Sequence, residues 1–286
     1  MSPLIEIFYD KRTCALTYVI ADEAGGRAAI VDPVLDYEPT SGRTSTEHAD
    51  EVLAYVRGKG LTVDWLLETH AHADHLSAAG YLKAELGAQT GIGSQIGAVQ
   101  AIWKDVFGLE PEFPTDGSQF DHLFADGETF RIGDLEGRVL HTPGHTPACV
   151  TYVVGDAACV GDTVFMPDFG SARTDFPGGD PATLYRSIRR ILALPGDTSL
   201  LACHDYLPGG RALEWESTVA EQRAGNPHVR DGIDEAAFIA LRQERDSQLA
   251  VPSLLLPSVQ VNMRAGHIPP PEANGVSYLK LPLNAI

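Results

Sequence analysis

The sequence predicts an α/β fold of four layers, two β-sheets packed face to face with helices on both outer sides. Three observations carry that prediction. Two halves of comparable size each run from strand-length apolar segments into a helix, the pattern that layers helices on sheets. Gly, Pro and Asp turns punctuate those segments. The chain has 286 residues, 44% of them hydrophobic and 21% charged, which suffices for a full core and excludes a disordered or collagen-like chain.

Residues 5–9, 17–21 and 28–32 read as strands, the last closed by Pro33. Residues 36–45 are polar and rich in turn formers, and read as a loop. Thr46 is a suitable N-cap for a helix in which Val52, Leu53 and Val56 share a face, ending at Gly58 and Gly60. A short apolar run at 63–68 has strand length and leads into Thr69-His70-Ala71-His72-Ala73-Asp74-His75. Residues 76–86 read as a helix stopped by Gly87. Further strands are expected at 128–132, 136–141, 150–154 and 157–160. Asp180-Pro181 places a cap and a first-turn proline before a helix over 182–194, which Pro195-Gly196 ends. Residues 200–203 are a strand, and 214–223 and 234–248 look helical. From 252 onward the chain is Pro-rich and reads as irregular. The expected organisation is a catalytic domain, 1–250, and a C-terminal tail, 251–286, packed on it.

Lys and Arg number 21 against 39 Asp and Glu, a formal net charge of −18. That field disfavours nucleic acid and anionic lipid as partners, and an anionic substrate would need a local basic patch. No apolar run approaches the ~18 residues that span a bilayer, so no membrane partner is expected. The opening stretch MSPLIEIFYDKRTC has no basic region followed by an apolar run, and no secretory leader is read there. Cys14, Cys149, Cys159 and Cys203 form no C-x-x-C pair and read as free thiols of a cytoplasmic protein.

The sharpest chemical signal is His70-x-His72-x-Asp74-His75. Imidazole and carboxylate are the ligands that suit zinc and non-haem iron. Alternate residues of an extended loop point the same way, so His70 and His72 can converge. Three more ligand types stand at the ends of expected strands: His145 in Thr-Pro-Gly-His-Thr, Asp162 in Val-Gly-Asp-Thr, and His204 after residues 200–203. A sheet edge gathers such residues around one cleft. Gly144 and Gly161 allow a tight bend beside each ligand.

On these motifs the chain resembles the metallo-β-lactamase superfamily, with a counterpart for every member of its seven-ligand set between His70 and His204. The resemblance implies an αββα sandwich with metal at one edge of the two sheets. Flavodiiron oxygen reductases carry Glu where this chain has His72, which disfavours that branch. A narrower resemblance is to the glutathione persulfide dioxygenases. It rests on Thr69-His-x-His-Ala-Asp-His75, on Arg173-Thr174-Asp175-Phe176 and on His204-Asp205-Tyr206. Asn226-Pro227-His228-Val229 and the stretch Pro257 to Gly266 look most like a bacterial branch of these enzymes. Many of them have Cys-Gly before the Arg-Thr-Asp-Phe segment, where this chain has Ser171-Ala172.

That resemblance implies one Fe(II) per chain held by His70, His145 and Asp162, and oxidation of glutathione persulfide by O₂ and water to sulfite and glutathione. His72, Asp74, His75 and His204 would then surround the iron or form a vacant second metal site. His72 and Tyr206 are the implied catalytic side chains, and Arg173, Tyr206, Arg230 and Arg264 the candidate substrate contacts. Arg173 can equally pair with Asp175, and a buried Tyr206 can simply cap backbone. Exposed sheet edges in this superfamily pair into dimers, so a homodimer is expected. The same seven residues suit a dinuclear zinc thioester hydrolase of the glyoxalase II type, and that alternative stays open. His48, His122, His141, His228 and His267 read as structural, and Cys149 and Cys159 as buried thiols.

Overall fold

The structure is a computed structural model and describes residues 2–284. Its described residues contain two six-stranded sheets and a three-stranded one. In the first large sheet, Leu4–Asp10, Ala15–Ala21 and Arg27–Val31 are antiparallel neighbours, and Thr62–Leu67, Gln89–Gly93 and His122–Phe124 extend it in parallel. The second runs from Thr129–Ile132 through Leu135–His141, Val150–Val154, Ala157–Cys159 and Ser199–Leu201 to Glu216–Thr218.

Period-two alternation explains the layering. Leu16, Tyr18 and Ile20 face Val150, Tyr152 and Val154 across the space between the sheets. Val19 and Ala21 face outward, against Val52, Leu53 and Val56 of the helix Glu47–Gly58 and Leu82 of Ala79–Leu86. On the far side, Ala158 and Leu200 pack under Leu184 and Ile188 of the helix Pro181–Ile191 and Phe238 of Glu235–Asp246. The result is the αββα sandwich that the sequence predicts.

Four local readings are corrected. The expected loop at 36–45 is part of a hairpin, Val34–Glu38 with Arg43–Ser45, whose paired residues are too few and too polar to show an apolar period. Leu76–Ser77 pairs as a strand with Val34 and Leu35, so the helix begins only at Ala79. The helix expected at 214–223 starts at Val219, where Thr218 and Glu221 form a reciprocal capping box, and Glu216–Thr218 is an edge strand. The tail is not irregular throughout: Leu255–Asn262 is a helix, buried along most of its length.

Candidate metal centre

Strand register delivers the ligands. Val31 and Leu67 are partners in adjacent parallel strands, so Asp32 and Glu68 emerge side by side. Cys159 and Leu201 are likewise parallel partners, so Asp162 and His204, each three residues on, come level. The sheets are joined at this edge by a bridge between Ala15 and His204 and by the Leu16 amide, which donates to the Cys203 carbonyl at 2.8 Å. His145 sits on a turn that needs Gly144 at φ +139°, with its backbone packed on Leu184 of the helix that Asp180 caps. Gly161, at φ +54°, leaves the room that the Thr69 side chain occupies.

The hydrogen bonds assign the imidazole tautomers. Nδ1 of His145 donates to the Arg173 carbonyl at 2.8 Å, which leaves the lone pair on Nε2. Thr69 spends its hydroxyl proton on Asp32 at 2.8 Å and accepts from Nδ1 of His70 at 3.0 Å, so His70 also presents a bare Nε2. His72 is reversed. Its Nε2 meets Asp32 at 3.0 Å and Glu68 at 3.1 Å, and Nδ1 is the free atom. Those two carboxylates outweigh burial and hold the His72 pKa well above its ordinary value. Burial and the surrounding imidazoles push His70 well below its own.

Two ligand sets result. His70 Nε2 and His145 Nε2 lie 3.9 and 3.6 Å from Oδ2 of Asp162, beyond hydrogen bonding and near the spacing of donors sharing an ion bound at ~2.0–2.2 Å. His72, Asp74, His75 and His204 form the other set, with Nε2 of His204 3.2 Å from Asp74 and 3.3 Å from Asp162. Nε2 of His70, Nδ1 of His72 and both ring nitrogens of His75 and His204 are buried without a hydrogen-bond partner. Buried polar atoms are almost always satisfied, so a cluster with an unpartnered nitrogen on each of these four imidazoles fits metal binding. Asp74, half-buried beside His204 and His75, is held far below the usual carboxylate range despite the desolvation that opposes it.

A cleft of about 390 Å³ opens on the centre, and Asp74, His145 and Asp162 line it. One wall is aromatic: the Tyr206 ring lies nearly parallel to His204 at 5.5 Å and packs on Phe165 and Phe169. Arg211 braces that wall by pairing with both Asp205 and Asp168. Ser171, also in the cleft wall, directs its amide and hydroxyl to Nδ1 of His228, each at 3.0 Å.

The expected substrate arginines are redistributed. The Arg173 guanidinium pairs with Asp175 at 2.6 Å and the Ala250 carbonyl at 2.8 Å, so the ion-pair reading holds at the cleft rim. Arg230 is exposed and does not line the cleft. Arg264 lies over the Phe113 ring, 3.5 Å from Glu110, in a separate surface groove. Arginine reaches too far for sequence position to locate its head group. Arg173 does line the cleft, together with Arg12 and Arg245, and Arg245 has no carboxylate partner among the described residues. Asp32 and Glu68 also escaped the sequence reading. The strand-ending Asp32-Pro33 and the ionisable Glu68 closing an apolar run are the signals that mark them.

The sequence profile of the metallo-beta-lactamase superfamily matches residues 15–204. A probable metallo-hydrolase of Burkholderia pseudomallei is 53% identical, over 99% of this chain and 99% of that one. Glyoxylase B2 of Dictyostelium discoideum is 50% identical over 98% of this chain and 97% of its own length. The mitochondrial persulfide dioxygenase ETHE1 of Mus musculus is 30% identical over 94% and 91%. The crystal structure of ETHE1 from Myxococcus xanthus superposes with a TM-score of 0.73 at 28% identity, covering 92% of this chain and 100% of that chain. Profile, relatives and shared architecture agree, and the chain belongs to the metallo-beta-lactamase superfamily of metal-dependent enzymes.

Proposed function

We propose that this chain is a non-haem iron dioxygenase that oxidises glutathione persulfide to sulfite and glutathione. The overall change balances: the outer sulfur is oxidised, O₂ is reduced, and water supplies the third sulfite oxygen. The observation that carries the reading is the accessibility of the His70, His145 and Asp162 set. Two of its three members line the cleft, whereas the other set reaches it only through Asp74. Iron held by two imidazoles and a carboxylate keeps open positions and supplies redox chemistry that zinc lacks. The similarity to persulfide dioxygenases over 94% of this chain supports the same reading.

The chain's own groups would do the rest. His145, fixed by the Arg173 carbonyl, keeps its lone pair toward the centre. Phe165, Phe169 and the partly exposed Tyr206 give the bound sulfur an aromatic wall to pack against. Arg245 and the largely exposed Arg12, whose one ion pair with Asp36 spans 3.3 Å, receive the carboxylates of the carrier thiol. This is the local basic patch that a chain of net charge −18 requires for an anionic substrate.

One observation favours a second reading, a dinuclear zinc thioester hydrolase. The set His72, Asp74, His75 and His204 is as complete as the first, and relatives named as hydrolase or glyoxylase are 50% identical or more. Metal analysis and oxygen uptake separate the two. Iron at about one per chain, with O₂ consumed when glutathione persulfide is added, supports the dioxygenase. About two zinc ions per chain, with S-lactoylglutathione cleaved without O₂, overturns it. His75→Ala should leave substantial activity in the first case and abolish it in the second.

A further inference from the structure

The superfamily match ends at residue 204, yet the segment carrying His72, Asp74 and His75 is held from far beyond it. The helix Leu255–Asn262 packs Leu255 and Val259 with Ile96, Val99 and Trp103, and turns Val261 to the cluster containing Leu76 and Leu82. Just after it the chain bends sharply, with Ala265 and Gly266 both at positive φ, and the Gly266 backbone closes on Gly80. These contacts press the end of the helix against the back of the metal loop.

Asn262 is the residue delivered there, and it is 3% exposed. Its Nδ2 donates to the His72 carbonyl at 2.9 Å and to the His75 carbonyl at 2.8 Å. Its Oδ1 accepts from the Ser77 amide at 2.7 Å. An amide side chain has two donors and one acceptor atom, and all three here go to the main chain of one short segment. Residues 68–75 lie outside any strand or helix. Their carbonyls therefore depend on such partners to stay satisfied while buried.

We infer that Asn262 is a positioning residue for the metal centre. It clamps the loop from behind so that the His72, Asp74 and His75 side chains stand ready before an ion arrives. The C-terminal helix is then a working part of the site. Asn is suited to this because Asp, of the same shape, cannot donate to two carbonyls, and because Gln would overreach the packed helix end. The inference concerns the loop, so it holds whether the chemistry is oxidative or hydrolytic.

Zn²⁺ alone serves as the probe, titrated into chelator-stripped full-length protein against a chromophoric chelator. Asn262→Asp should weaken Zn²⁺ binding by about 10- to 100-fold, the range seen when groups that orient ligands are lost. Val261→Ala, which loosens the same helix without removing a hydrogen bond to the loop, should lower the melting temperature and leave Zn²⁺ affinity within about twofold. Amide exchange gives a reading that needs no variant. In the wild-type chain the Ser77 amide should be protected as strongly as the neighbouring Leu82 amide of the helix Ala79–Leu86. Unchanged Zn²⁺ affinity in Asn262→Asp, an equal loss in Val261→Ala, or free exchange at Ser77 would each overturn the inference.

Discussion

His228 offers a quantitative test of the network behind the cleft wall. Burial, together with the charges of Arg242 and Arg245 and against the opposing Asp246, lowers its pKa to about 4. The ring accepts the Ser171 amide and hydroxyl on Nδ1 and is 2% exposed. An unfolded histidine titrates near 6.5. Above that value both states are neutral and His228 contributes no pH dependence. As pH falls from 6.5 toward 4, the unfolded chain binds a proton that the folded chain refuses, and stability is lost. At pH 5 the unfolded ring is almost fully charged and the folded ring mostly neutral, so the loss relative to pH 7 is about 2 kcal/mol. His228→Asn retains an acceptor near Nδ1 and cannot titrate. Urea unfolding, followed by tryptophan fluorescence at pH 7 and pH 5, should show the wild type losing about 2 kcal/mol more than the variant. The metal-centre residues are the same in both proteins, and their contribution cancels in the difference. Equal losses would refute the argument, because the depressed pKa would then not belong to this ring.

Asp32→Asn removes the carboxylate that accepts from the Thr69 amide and hydroxyl and faces Nε2 of His72, so urea unfolding should show a loss of about 3–5 kcal/mol, and a loss below 1 kcal/mol would contradict the network. Gly144→Ala would put a Cβ 2.4 Å from the Leu184 backbone at a positive φ. A drop in melting temperature worth about 1–3 kcal/mol and reduced metal content are expected, whereas a wild-type melting curve would show that the turn can relax. Cys149, Cys159 and Cys203 are each 2% exposed, and burial pushes the Cys149 thiol up to about 12. A thiol reagent should therefore titrate only the half-buried Cys14 in native protein and all four cysteines in denaturant; fast native labelling of a second thiol would contradict that burial.

The sandwich was legible because apolar runs of strand length, bounded by Gly, Pro and Asp turns, lead into helices in both halves of the chain. Tyr18 and Val19 already belong to different layers by parity alone. The metal residues were legible because four sit within six positions and the others end apolar runs. Local pattern could not show what depends on distant packing. Asp32 precedes its partner His72 by forty positions, and Asn262 follows it by 190. Arg230 and Arg264 resemble Arg245 in sequence, and only the tertiary fold decides which reaches the cleft. The hairpin over Val34–Ser45 escaped because its pairing rests on backbone bonds between mostly polar residues, Asp36 with Ser45 and Glu38 with Arg43, that show no apolar alternation.

The candidate ligands come from both large sheets, and the Ala15–His204 bridge lies on the seam between them. An ion seated there would act as a rivet through that seam. Occupancy then adds to the work of prising the halves apart, by about 2.7 kcal/mol when free metal stands a hundredfold above its dissociation constant. Heat resistance thus becomes a gauge of loading, and competing ions can be ranked in a melting scan before any substrate is known.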